Sequence, residues 1–231
     1  MDALTIVFWV LIAVLLVGVF AFFARVNPKT NQSKNNVVAQ LTKDALFLAI
    51  ILAMGFVPNL GYITIMPGVS LTLMHIPVLI GCCCFGWKRG WLYGLFFGVT
   101  SWIQATQNPV GFNGFFIYPW VSILPRVLFG LLAGILFSLL GKLPKILKGR
   151  LGIGLAGFLM TLIHTGLVFL DLYIFFPSEI AAVFGTTSTI GSGVVVAFAV
   201  AILVGALGEA VLGGLITAVV GPVLRKLGER K

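Results

Sequence analysis

The chain has 231 residues, 60% of them hydrophobic and only 9% charged, with a mean hydropathy of +1.14 and a formal net charge of +9. A soluble domain is roughly 25% charged, so a water-facing globule is excluded, and the class expected is an all-α membrane protein. A helix needs about 20 residues to cross a ~30 Å hydrocarbon core. About seven crossings therefore consume most of the chain and leave no room for a soluble domain. Continuous apolar runs such as LFLAIILAMGFV do not alternate in and out, which argues against a barrel.

In chain order, an apolar stretch at 4–24 follows Asp2 and precedes Arg25, Lys29 and Lys34, the reverse of a signal peptide's charge order. It is expected to stay as an anchor with its N-terminus outside. The polar segment 25–40, containing Pro28, reads as a cytoplasmic linker. Residues 1–42 then form an anchor-and-linker region, and 43–231 a membrane domain with helices at 43–58, 71–86, 88–104, 118–141, 150–173 and 192–224. Loops are expected at 59–70, 105–117 and 174–191.

Alternating these helices puts fourteen of the fifteen basic residues, all but Arg126, on one side. By the positive-inside rule that side, with the C-terminus, is the cytoplasm. Short basic turns inside and longer neutral loops outside suggest a site open to the exterior. The basic residues read as topology signals and lipid contacts, and nucleic-acid binding is excluded. Cys82, Cys83 and Cys84 are consecutive within an apolar run, which suits neither a disulfide framework nor a metal knuckle. They read as small packing residues.

Polar residues within spans are costly and each needs an account. His75 precedes Pro77, whose missing N–H is expected to loosen the turn. Arg126 offers a fork of donors to a carboxylate, on a ligand or on Asp171 or Glu209, with His164 another possible partner. Glu209 lies among small residues and must face the bundle interior. The outer loops add Asn59, Tyr62, Thr64, Gln104, Gln107, Asn108, Asn113, Tyr118 and Trp120, with Phe112, Phe115 and Phe116. Aromatic walls with a few amides and hydroxyls suit a small, partly polar organic ligand, although some of these rings belong to an interfacial belt. Two histidines without further ligands at metal spacing make no metal site, and no cofactor or catalytic group is expected. The Walker A, HExxH and GxSxG patterns are absent. Ala45, Ala49 and Ala53 recur every four residues, a small-residue row for close helix approach, either within the bundle or to another membrane protein. Two other classes compatible with these residues are a membrane enzyme acting on lipid or isoprenoid substrates, using Glu209, His75 and His164, and a self-sufficient secondary carrier.

The alanine row, MPGVSLTLMHIPVLIG, FGWKRGWLYGLFFGVTS, NGFFIYPWVSILPRVLFGLLAG and the late GEAVLGGLI, in this order between Lys43 and Lys226, resemble the substrate-binding S components of energy-coupling factor (ECF) transporters. The resemblance implies a six-helix bundle that takes a vitamin-like molecule from outside the bacterial cell membrane. It also implies docking, through Ala45, Ala49 and Ala53, on a shared transmembrane coupling subunit driven by two ATPase subunits, where ATP hydrolysis resides. Ligand contacts are implied in the loops after the first, third and fifth family helices and at nearby helix ends. For the substrate, the HIP and LPR patterns resemble the branch of pantothenate and folate carriers, and pantothenate is favoured, with folate, cobalamin, pyridoxine or another vitamin open. The extra N-terminal span departs from the six-helix pattern.

Overall fold

A computed structural model describes residues 34–57, 60–66, 69–107, 109, 111–143, 149–180 and 192–229. The expected first span at 4–24 lies outside them. The chain divides into two units, Met1–Leu46 and Phe47–Lys231. In the first, residues 34–46 are helical; the packing below is that of the second. The elements are α1 (Lys34–Phe56), β1 (Tyr62–Met66), β2 (Val69–Thr72), α2 (His75–Phe85), α3 (Trp87–Gln107), a 3-10 segment (Gly111–Ile117), α4 (Pro119–Leu140), α5 (Arg150–Phe175) and α6 (Ser192–Glu229).

Pro119–Leu140, Arg150–Phe175 and Ile202–Arg225 are long and apolar enough to cross a membrane. Their outer faces are apolar too: Leu128, Leu132, Ile135 and Leu139 of α4 and Leu151, Leu155 and Leu159 of α5 are all exposed. An apolar exterior at helical spacing is what a lipid environment requires. The chain is an all-α membrane protein.

Four expectations need correction. Residues 34–40, read as linker, are helical, because KNNVVAQLTKD contains no proline or glycine to stop the helix. The loop at 59–70 holds an antiparallel ribbon that pairs Tyr62 with Thr72, Ile63 with Leu71 and Thr64 with Ser70. YITIM and VSLT favour strands through β-branched and alternating residues, and Pro67-Gly68 between them is a turn-forming dipeptide. Consequently the helix placed at 71–86 starts at His75 and has 11 residues. At 1.5 Å per residue that is about 16 Å, roughly half a bilayer core. Pro77 thus falls in the first turn, where a missing N–H costs nothing, so it does not loosen the helix. Nine residues of α2 are buried, so it is the centre of the bundle. Cys82 and Cys83 pack there as expected; Cys84 is half-buried.

Glycines set the closest contacts. On α3, Gly90, Gly94 and Gly98 face the backbone of α4 at Gly130, Arg126 and Ile123, and Gly134 of α4 faces Trp87. A Cβ added at Gly90 or Gly94 would strike a carbonyl oxygen of the other helix. In lipid, where apolar burial supplies little force between helices, such backbone proximity is a main source of packing energy. Gly154 and Gly157 of α5 meet Gly213, Gly214 and Thr217 of α6 in the same manner. Phe47 and Ile51 of α1 enter the core, and Gly55 lies against Thr100 and Met74. Ala49 and Ala53 are offset from this buried row by two residues, about 200° around the helix, and are exposed, as is Ala45.

Within the second unit, Lys88, Arg89 and Arg225 lie at one end. The α2–α3 turn with Lys88 and Arg89 meets the C-terminal part of α4 where Trp87 N–H donates to Ser138 Oγ (3.3 Å), and Arg225 of α6 approaches Gly141. The ribbon follows the C-terminal end of α1, and the 3-10 segment follows the end of α3 opposite Lys88 and Arg89. Replacing Gly94 by alanine should force α3 from α4 at a cost of about 1–3 kcal/mol, whereas Gly166, with nothing within 4 Å of an added Cβ, should accept alanine. Thermal melting in detergent checks this: several degrees lost for Gly94→Ala and none for Gly166→Ala.

Candidate functional site

Pro119 opens α4 and Pro125 lies inside it. Because proline has no N–H, the carbonyl four residues earlier, that of Val121, loses its helical donor. The next residue supplies one: Arg126 Nη1 donates to Val121 O at 2.8 Å. This bond turns the side chain back along the helix into the bundle. There the guanidinium lies 4.7 Å from the Phe116 ring centroid and 5.7 Å from that of Phe97, both within cation–π range. Arg126 is 5% exposed, and its Nε has no hydrogen-bond partner among the described residues.

Other buried polar groups converge on it. Asp171 of α5, Glu209 of α6 and Tyr62 of β1 lie within electrostatic reach of Arg126, as does His164. No carboxylate forms an ion pair with Arg126 among the described residues, so the internal salt bridge considered from the sequence does not form. Asp171 Oδ2, Tyr62 Oη, Trp120 Nε1 and both ring nitrogens of His75 and His164 are buried without a partner among the described residues. Burial pushes the Tyr62 phenol above its ordinary pKa, opposed by the Ser101 hydroxyl and the charge of Arg126.

The two imidazoles stack with centroids 6.2 Å apart and planes inclined by 21°. Phe129 (4.9 Å) and Phe97 (5.4 Å) enclose His164. Gly213 of α6 lets the helix pass close to this pair, since a Cβ there would lie 2.8 Å from His75 Nε2 and 2.7 Å from Thr161 Oγ1. Glu209 accepts a hydrogen bond from the Thr72 backbone N–H. Above Arg126, Trp102 Nε1 (2.9 Å to Ile117 O) and Ser122 Oγ (2.6 Å to Phe116 O) fasten the 3-10 segment. Trp120 joins Tyr118, Phe175 and Phe176 in an aromatic cluster next to it. Few buried polar atoms in a native protein lack a partner. A concentration of them between aromatic walls is the lining expected for a small polar-and-apolar molecule.

The family model for the ECF transporter substrate-specific component matches residues 39–225. The chain belongs to this family. It is 32% identical over 170 residues to the pantothenic acid transporter PanT of Lactococcus lactis subsp. cremoris, covering 64% of this chain and 78% of that one. It is also 32% identical over 135 residues to the pantothenate transporter PanT of Leuconostoc mesenteroides, covering 57% and 66%.

Of the residues singled out in this S component's sequence, Tyr62, His75, Arg126, His164, Asp171 and Glu209 belong to the buried polar group, with Trp120 in the adjoining aromatic cluster. Thr64 lies in β1 opposite Ser70, Gln104 is half-buried near the end of α3, and Asn113 is half-buried in the 3-10 segment. Asn59 and Asn108 lie outside the described residues. Sequence reasoning missed Ser101, Thr161 and the enclosing Phe97 and Phe129; hydroxyls within apolar helices were the available signal for the first two. Pro125→Ala should restore an N–H to the Val121 carbonyl and release Arg126 Nη1. The S component should then melt no lower than wild type yet bind its vitamin severalfold more weakly by titration calorimetry.

Proposed function

We propose that this S component binds pantothenate and hands it to an ECF coupling subunit driven by two ATPases. The observation that carries the ligand is Arg126, a buried cation whose Nε has no partner, and to which no carboxylate is paired, among the described residues. A cation in that position costs several kcal/mol unless compensated, and a ligand carboxylate compensates it. Pantothenate carries one carboxylate, one amide and two hydroxyls. Asp171, with one oxygen unpartnered, suits a hydroxyl donor; Tyr62, Trp120 and the two imidazoles suit the amide and the second hydroxyl. The two pantothenate transporters at 32% identity support this substrate over the other vitamins. A basic cluster on the α2–α3 turn and the C-terminal ends of α4 and α6 supports placing that end in the cytoplasm and the ribbon outside.

The charge reading has a direct test. Wild type should bind pantothenate at least about 30-fold more tightly than the corresponding alcohol, in which CH2OH replaces the carboxylate, because an uncompensated buried charge costs roughly 2–5 kcal/mol. Arg126→Met should bind the two about equally. Equal binding of both by wild type would remove the carboxylate from the Arg126 role.

Docking is proposed through the exposed row Ala45, Ala49 and Ala53, of which Ala49 and Ala53 lie on the face of α1 opposite Phe47 and Ile51. Exposed as it is among the described residues, the row suits a small-residue contact with a helix of the coupling subunit. Ala49→Trp should abolish pantothenate uptake in cells that carry the ATPase module, while the purified variant keeps near-normal affinity. Wild-type uptake would exclude the docking role.

A further inference from the structure

We infer that Glu209 is a positioning residue, which holds the outer edge of the β1–β2 ribbon and thereby fixes Tyr62 beside Arg126. The ribbon explains why such a group is needed. Leu73 N–H bonds Gly61 O at 2.8 Å, so the flanking pair Tyr62–Thr72 has its backbone N–H groups turned away from the ribbon. The Thr72 N–H is a part-buried edge donor, and a donor left unpaired in a buried position is costly. Glu209, 8% exposed on α6, accepts it.

This one bond ties three elements together. Thr72 stands directly across from Tyr62, and only Leu73 and Met74 separate it from α2, so the same carboxylate sets both the ribbon and the entry to His75. One turn along α6 from Glu209, a Cβ on Gly213 would lie 2.8 Å from His75 Nε2, so the helix that carries the acceptor also passes the stacked histidines. Tyr62, held at the opposite side of the ribbon, keeps its buried hydroxyl within electrostatic reach of Arg126. Glu209 therefore acts on the site through the backbone, with no need to touch ligand. Its role requires an acceptor oxygen and not a negative charge.

Only the affinity readout rests on the pantothenate reading; amide exchange does not. Hydrogen exchange at the Thr72 amide of the ligand-free full chain should rise about tenfold or more in Glu209→Ala and stay near wild type in Glu209→Gln, which retains an acceptor. Radiolabelled pantothenate should dissociate about tenfold faster from Glu209→Ala and at nearly the wild-type rate from Glu209→Gln. Thr72→Pro removes the donor from the other side, at an edge position where proline is tolerated. It should match Glu209→Ala in dissociation rate, and the double variant should be no worse than either single one. Unchanged Thr72 exchange in Glu209→Ala overturns the inference. So does a Glu209→Gln variant that keeps Thr72 protected but loses affinity as Glu209→Ala does, because the charge itself would then be what binds. Should wild type fail to bind pantothenate while Thr72 exchange follows the expected pattern, the substrate is wrong and the positioning role stands.

Discussion

Backbone contact between α3 and α4 fixes the frame on which the site is built. Gly90, Gly94 and Gly98 bring α3 onto α4 at the stretch that carries Ile123, Arg126 and Gly130. With the helices this close, Phe97 is held against both Arg126 and His164, and Thr100 and Ser101 face inward. A side chain at Gly94 would displace the Arg126 backbone itself. The gain from such contact is dispersion, small per atom pair and large in sum, and it falls away with a fraction of an ångström of separation. That sensitivity is why glycine, which weakens an isolated helix, is retained at three successive turns of α3.

Within that frame the bundle tolerates polar groups that a sealed apolar core would reject. Some are satisfied by the chain: the Val121 carbonyl by Arg126, the Thr72 N–H by Glu209, the Thr161 hydroxyl by Gly157 O. Others are left over, and they lie together. Arg126 Nε, Asp171 Oδ2, Tyr62 Oη and the imidazole nitrogens represent donors and acceptors of several kinds, backed by Phe97, Phe116 and Phe129. An S component has no reaction to perform, so its chemistry reduces to complementarity: each leftover group needs a counterpart on the cargo. Polar groups paired among themselves would make a more stable bundle and a poorer binder.

The helices were readable because lipid leaves them few alternatives, and 118–141 and 150–173 were placed within two residues of Pro119–Leu140 and Arg150–Phe175. The ribbon was not read. YITIM and VSLT are apolar as well as alternating, and in a hydrophobic chain the second signal is masked by the first. The Gly90, Gly94 and Gly98 row has the same spacing as the alanine row of α1, but glycine is common in membrane helices and only the opposing backbone distinguishes a seam from a coincidence. Arg126, Asp171, His164 and Glu209 stood out because charge and imidazole are rare in apolar spans. Their arrangement as neighbours, without ion pairs among the described residues, depends on the rotation of three helices, α4, α5 and α6, which no local pattern encodes. The Pro125–Arg126 relation could have been derived, since the carbonyl freed by a helical proline is always four residues back.

The central claim is that the unpartnered polar groups around Arg126 form the binding site for one anionic vitamin. Mass spectrometry of small molecules released from the chain after gentle purification from native membranes tests it most directly. The account predicts pantothenate in near-stoichiometric amount from wild type, and its loss from Arg126→Met at unchanged yield of folded protein. Recovery of a different, uncharged vitamin from both proteins in equal amount would contradict it.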